Sequence, residues 1–403
     1  MPIVNRIAEF HEEMTAWRRH LHAHPETAYQ EHETAAFVAD KLAAFGIAVA
    51  RGIGRTGVVG TLDGARGAGP AIALRADMDA LFIAEKNDLP WRSLNDGRMH
   101  ACGHDGHTTM LLGAARYLAE TRNFAGRVHF VFQPAEEVEG GARAMIDDGL
   151  FERFPVESVY GLHNMPDVAV GRMAVRGGPV MAACDNFELR LVGTGAHAAM
   201  PHQGADAILA AAQLVTALQA IASRETDPLD SVVVTVTQIH AGDAWNVIPE
   251  DVVLRGTVRS LRPGVQDRAE AALRRIVAGI AAAFGVAADI RYERGYPPTI
   301  NDEDEAAFAA RVAAAVVGAE RVARDMDPKM GAEDFAFMLR ETPGAYAWLG
   351  GGRGGADAGL HNPYYDFNDE ALPVGASYWA RLVETRLAPD ASRKRGRGRT
   401  EPA

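Results

Sequence analysis

Apolar positions along the chain change their period several times, and each change predicts an element. Ile3, Ile7, Phe10 and Met14 recur at helical spacing with Glu9, Glu12 and Glu13 between them. That is an amphipathic helix, not the uninterrupted apolar stretch of a signal peptide. Helical spacing returns over 34–45 and stops at Gly46. A short apolar run over 71–74 ends in charge. Residues 107–117 are helical, with Met110, Leu111, Ala114 and Leu118 on one face. Residues 128–132 form a strand ending in Gln133-Pro134, and 158–162 a further one. Strands and helices in this rhythm predict βαβ units, hence an α/β fold with a mostly parallel sheet under helices.

The character shifts near Cys184. Residues 187–192 alternate as a half-buried strand, 205–223 are helical, 231–240 and 252–260 are strands, 266–284 are helical, and 287–292 are a strand. The order β-α-β-β-α-β is the ferredoxin-like unit, inserted into the larger domain. After Pro297-Pro298 the alternation resumes with a helix over 305–317 and a strand over 345–349. The expected domains are a discontinuous one, 1–184 with 298–387, and an inserted one, 185–297. From 388 on, Arg393, Lys394, Arg395, Arg397 and Arg399 stand among glycines with almost no apolar residues, which predicts a disordered basic tail over 388–403.

Bulk properties narrow the picture. A chain of 403 residues exceeds one typical domain. Its formal net charge of −12 at pH 7 argues against nucleic acid as the main partner, and the tail reads as a solvated segment. No apolar run is long enough to cross a bilayer, so no membrane is expected. Two cysteines, Cys102 and Cys184, are too few for a disulfide framework. The expected location is cytoplasmic, where a free thiolate can serve as a ligand.

Four segments concentrate metal-binding side chains: 100–107 with Cys102, His104, Asp105 and His107; 133–137 with Glu136 and Glu137; 161–164 with His163; and 360–363 with His361. Three of them sit just past a predicted apolar strand, and ligands of open α/β sheets bind at the carboxyl ends of strands. Thiolate, imidazole and carboxylate together favour a first-row transition metal over magnesium or calcium. Two ions about 3.5–4 Å apart need more ligands than one zinc does. Cys102, His104, Glu137, His163 and His361 meet that need, with one of them bridging the two ions. Of the adjacent carboxylates, one can hold metal while the other takes a proton from the activated water. Each piece alone reads blandly: a Glu-Glu pair as a solvated helix face, Cys102 as a small buried residue. His100 and His107 are read as capping or packing residues. The chemistry rests on all four segments occurring together.

Seven motifs, HACGHDGHTTMLLGAA, FQPAEEVEGGARAMIDDGLF, YGLHNMP, GTGAHAAMPHQGADAI, NVIPE, MGAEDFAFML and LHNPYYDFND, resemble those of the M20 family of metallopeptidases and amidohydrolases. The branch resembled is that of hippurate hydrolases, N-acyl-amino-acid amidohydrolases and auxin-conjugate hydrolases, from about Trp17 to Trp379. The resemblance implies a catalytic domain binding two divalent transition-metal ions (Zn, Mn, Co or Ni) and a lid domain, here 185–297, through which a homodimer forms. It implies metal ligation by Cys102, His104, Glu137, His163 and His361, with Glu136 as general base. His197 matches a lid histidine that polarises the scissile carbonyl, Asn246 a residue that touches substrate, and Asp77 a carboxylate that orients a ligand. Arg259 is a candidate for a substrate carboxylate, with an ordinary surface ion pair as the other reading. Glu333 and Asp334 would lie at the cleft wall. The implied reaction is hydrolysis of a small-molecule N-acyl amino acid. A dipeptidase or aminopeptidase on the same scaffold, and a metal-binding protein without catalysis, are the rivals. The glycine-rich 350–355 lacks the Lys-Ser/Thr of a phosphate loop and is expected to be a flexible approach to His361.

Overall fold

Residues 3–355 and 357–389 are described by a computed structural model. The chain divides into two compact units. The larger runs to Gly178 and includes Asn301–Met326 and the chain from Phe337; the smaller is Pro179–Ile300 with Asp327–Ala336. The expected boundaries, 185 and 297, fall a few residues inside the smaller unit. The basic tail lies, from 390 on, outside the described residues.

In the larger unit eight strands form one sheet in the order Ala48–Ile53, Gly57–Asp63, Arg127–Gln133, Ala71–Asp77, Ser158–Ala169, Gly344–Gly352, Met173–Ala174, Val322–Ala323. The four central strands, Arg127–Gln133 through Gly344–Gly352, run parallel. They are buried almost throughout, as strands covered on both faces must be. From Ala71–Asp77 the chain passes to one side, through the helix His104–Thr121 into Arg127–Gln133, and then returns to the other side at Ser158–Ala169. This reversal of strand order opens a crevice at the carboxyl ends of those strands. The antiparallel hairpin Ala48–Ile53 and Gly57–Asp63 closes one edge. It was not predicted, because Gly52, Gly54, Gly57 and Gly60 break its apolar pattern.

Two helices matter most to the core. His104–Thr121 and Leu372–Arg386 pack on each other and contribute Met110, Leu111, Leu118, Tyr378, Trp379 and Leu382 to it. The second was not predicted either. It is buried on nearly every side, so it shows no polar stripe. The glycine-rich segment differs from its expectation: Gly350–Gly352 ends a strand, paired with Met165 and Ala169. A Cβ on Gly350 would lie 2.0 Å from the Ala169 carbonyl oxygen, so glycine there permits close backbone approach.

The smaller unit is a four-stranded antiparallel sheet in the order Val232–His240, Asp251–Ser260, Ala183–Val192, Ala287–Tyr296. Helices Ala207–Leu218 and Pro263–Phe284 cover one face and share a core of Leu189, Leu191, Leu214, Leu254 and Leu273. Chain order is β-α-β-β-α-β, as the periodicity predicts. One expectation needs correcting: Ala207–Glu225 is long and apolar enough to cross a membrane by length and composition alone. Its apolar face, Ala207, Ala210, Ala211, Leu214, Leu218 and Ile221, instead packs into this core.

Candidate active site

The five expected metal ligands and Glu136 all belong to the larger unit. Cys102 and His104 flank Gly103, whose φ is +94°. A Cβ at Gly103 would lie 2.2 Å from Asn164 Oδ1, so only glycine allows this tight entry into the helix. His104 opens that helix, three residues earlier than the apolar spacing predicts. His163 lies inside the strand Ser158–Ala169 and not beyond it. Its Nδ1 is 2.6 Å from its neighbour's carbonyl oxygen, Asn164 O, which turns Nε2 to within 3.3 Å of Cys102 Sγ. Glu136 and Glu137 follow the strand Arg127–Gln133. His361 sits at φ +62°, donates its backbone N–H to Ala101 O and places Nε2 3.3 Å from Glu137 Oε1.

Ligand atoms of Cys102, His104 and His163 lie within 4.8 Å of one another, as do those of Cys102, Glu137 and His361, and those of His104, Glu136 and Glu137. Shared members join the three groups into one cluster. His104 and Glu136 are buried, whereas the His361 side chain is 53% exposed. Among the described residues, both ring nitrogens of His104 and Glu137 Oε1 are buried with no partner in hydrogen-bond alignment, His361 Nε2 included. Buried polar atoms ordinarily have partners, and a cation bound by soft and hard donors together would supply them. The residues therefore fit divalent transition ions.

The electrostatics agree. Burial, together with Glu137, Glu136 and Asp77, pushes the Cys102 thiol well above its ordinary range. Burial works against a charged His104, yet Asp77 and Asp79 outweigh it and push the imidazole up to about 10. The pocket is thus rich in negative charge and holds protons in place of a stronger positive charge.

Two carboxylates, Asp77 and Asp79, stand behind the cluster. Asp77 accepts from His107 Nδ1 at 2.6 Å and from Arg75 Nη1 at 2.8 Å, and stands 3.8 Å from His104 Nε2. It is Asp79 whose Oδ1 faces His104 Nδ1, at 3.3 Å and off hydrogen-bond alignment. Sequence reasoning passed over Asp79; the signal was the Asp-x-Asp pair at a strand end. It also read His107 as no more than a capping or packing residue. His107 Nε2 accepts the Asn164 backbone N–H at 2.9 Å, so this ring ties Asp77 to the strand that carries His163.

His197, Asn246, Arg259, Glu333 and Asp334 belong to the smaller unit. Ala196–His197 pairs with Val247–Ile248 in a two-stranded ribbon. His197 is exposed, and its Nδ1 accepts the Ala199 N–H at 3.1 Å. Asn246, also exposed, accepts the Ala198 N–H on its carbonyl oxygen. The ribbon therefore brings His197 and Asn246 together. Arg259 does not join them; it is half-buried in the four-stranded sheet, opposite Val233 and Cys184. Glu333 and Asp334 are buried.

A second buried network supports the helix that carries His104. Arg18 binds both oxygens of Asp369, and His22 sits between Asp105 at 2.9 Å and Glu85 at 3.3 Å. Burial disfavours a charged His22, but hydrogen bonds to Asp105 and Glu85 outweigh it and push its pKa up to about 9. A raised folded value stabilises fully below the unfolded value of about 6.5 and is lost as pH rises through about 9. At 1.36 kcal/mol per unit, the loss is up to about 3 kcal/mol. Urea unfolding of the metal-free protein is expected to show stability falling between pH 6.5 and 9.5 more steeply in wild type than in His22→Gln. Equal slopes would remove the imidazolium from this network.

Metal-dependent hydrolases are the class to which such a crevice belongs, where donors from four chain segments surround a carboxylate able to move a proton. Relatives point the same way. The chain is 42% identical to an N-acetyl-L-cysteine deacetylase of Bacillus subtilis, over 92% of this chain and 87% of that one. It is 41% identical to a hippurate hydrolase of Campylobacter jejuni, over 95% and 99%. The crystal structure of a Bacillus subtilis dinuclear metal-binding peptidase of the M20 family superposes with a TM-score of 0.83 at 35% identity, over 95% of this chain and 100% of that one. Residues 73–385 match peptidase family M20/M25/M40, and the chain belongs to that family.

Proposed function

We propose that this enzyme hydrolyses the amide bond of N-acyl amino acids, hippurate-like or N-acetylated, at a dinuclear centre held by Cys102, His104, Glu137, His163 and His361. The observation that carries the reading is Glu136, 5% exposed, in one donor group with His104 and Glu137. Relatives named for N-acetylcysteine and hippurate, matched over nearly their full lengths, support the substrate class.

Two divalent ions such as Zn, Mn, Co or Ni supply Lewis acidity and lower the pKa of a water. The chain's residues do the rest. Glu136 takes the proton of the attacking water and delivers it to the leaving nitrogen, so one carboxylate serves both halves of the reaction. Asp79 accepts the backbone N–H groups of Glu136 and Glu137 at 3.0 and 3.1 Å and keeps their turn in place. His197 accepts on Nδ1, which leaves the proton on Nε2 as a donor for the developing oxyanion. Asn246 on the same ribbon contacts substrate, whereas Arg259, held in the four-stranded sheet, is left out of this assignment.

The smaller unit acts as lid and dimerisation domain in this proposal. Ile208, Leu209, Ile239, Trp245 and Val247, large apolar side chains left exposed on it, support a homodimer, which light scattering would test. Two free cysteines accord with the cytoplasm.

The decisive experiment is turnover of a panel of N-acyl amino acids after metal reconstitution, with released amine measured. Benzoylglycine or N-acetyl amino acids are expected to be cleaved, a chelator to abolish the rate and a divalent transition ion to restore it. Cleavage confined to dipeptides with a free α-amino group would make the enzyme a peptidase. Metal content with no turnover on either panel would make it a non-catalytic metal binder.

A further inference from the structure

The turn carrying Glu136 and Glu137 contains a residue in an unfavourable backbone conformation. Ala135 has φ +52°, in the left-handed region that a residue with a Cβ rarely adopts. Such a conformation persists where its surroundings over-determine it. Three successive N–H groups here point at two buried carboxylates. Ala135 donates to Glu31 Oε1 at 2.9 Å, Glu136 to Asp79 Oδ1 at 3.0 Å, and Glu137 to Asp79 Oδ2 at 3.1 Å.

Glu31 takes no part in the chemistry described so far. It immediately precedes the helix His32–Ala44, is 0% exposed, and accepts from Thr56 Oγ1 on its other oxygen at 2.7 Å. Burial, with Asp79 nearby, pushes its carboxyl up to about 7 against the hydrogen bond from Thr56. A buried acid held only by neutral donors beside another carboxylate is a poor choice for folding alone, since an apolar side chain would fill the space without desolvating a carboxyl group. One of its two oxygens is given to the strained residue, through the Ala135 N–H.

We propose that Glu31 is a positioning residue: by holding the Ala135 N–H it locks the left-handed turn that aims Glu136 and Glu137 at the metal cluster. The inference rests on the reading of Glu136 as base and Glu137 as ligand. Glu31→Leu removes the acceptor, whereas Glu31→Gln keeps an oxygen for Ala135 and an NH₂ for Thr56. Thr56→Val disturbs the same carboxylate and leaves the Ala135 bond.

Two readouts test this. In steady-state hydrolysis of N-acyl amino acids, E31L is expected to lower kcat at least tenfold with KM changed less than threefold, and E31Q and T56V to stay within threefold of wild type. Ala135→Gly, which adopts φ > 0 without strain, is expected to restore at least fivefold of the rate lost in E31L. Independently of turnover, competition with a chelating dye for Zn²⁺ is expected to show one of the two ions bound at least tenfold more weakly in E31L and nearly unchanged in E31Q. If wild type cleaves no N-acyl amino acid, the functional reading fails, yet the Zn²⁺ titration still decides the role of Glu31. Wild-type kcat and Zn²⁺ affinity in E31L, equal losses in E31L and T56V, or no recovery on adding A135G would overturn the proposal. Should E31L not fold, Glu31→Asp, which withdraws the carboxylate by one methylene, carries the same test.

Discussion

Glu136→Gln is expected to keep both metal ions and lose about a hundred- to ten-thousand-fold in kcat, the range by which general acid–base catalysis accelerates proton transfers. The amide has the shape of the carboxylate, so packing hardly changes. The backbone N–H that Asp79 accepts is untouched, so the turn stays where it is. What disappears is an oxygen able to take a proton from water and pass it on. A loss confined to kcat, with KM little moved, marks an interaction made only in the transition state. Steady-state kinetics on the reconstituted variant, beside metal analysis of the same sample, checks both halves. A variant with near-full rate would end the assignment of Glu136 as base. One that lost its metal would make Glu136 a ligand.

Cys102→Ala is expected to lose metal and activity together. Cys102 belongs to two of the three donor groups, one with His104 and His163 and one with Glu137 and His361, so its removal weakens both halves of the cluster. Mutating groups that merely orient ligands lowers metal affinity or activity by about 10- to 100-fold. Loss of a ligand shared by two groups is expected to exceed about a hundredfold in affinity. The buried thiol, raised by burial and three nearby carboxylates, is poorly accommodated as an anion unless a cation stands beside it. Metal stoichiometry after dialysis against limiting Zn²⁺ gives the answer. Unchanged stoichiometry would exclude the thiolate as a ligand.

How far the chain announced this site can be seen in particular residues. Cys102, His104, Glu136, Glu137, His163 and His361 were legible as candidates because metal-binding types recur in four segments together and the parallel-sheet pattern places strand ends on one edge. His104 and His163 were placed slightly wrong. Helix and strand run past the apolar residues that signal them, so His104 lies in the helix and His163 in the strand. Asp79, Glu31 and His107 were not recognised, for a common reason. Each acts through a hydrogen bond to a backbone group or ring far away in sequence, such as Glu31 to Ala135 and His107 to Asn164, and no local pattern encodes such a bond. Asp77 and Asp79 both stand beside His104, Asp77 near Nε2 and Asp79 near Nδ1.

The sequence by itself determined the larger choices: an α/β sheet of apolar strands, an inserted β-α-β-β-α-β unit, and a set of thiol, imidazole and carboxyl groups suited to transition metals. Those follow from periodicity and residue chemistry, which are local properties. Only the tertiary structure decided which carboxylate backs which ligand, where the strained Ala135 turn is anchored, and that glycines 350–352 complete a strand. Those depend on close approach between segments distant along the chain, such as Glu31 to Ala135 and Gly350 to Met165.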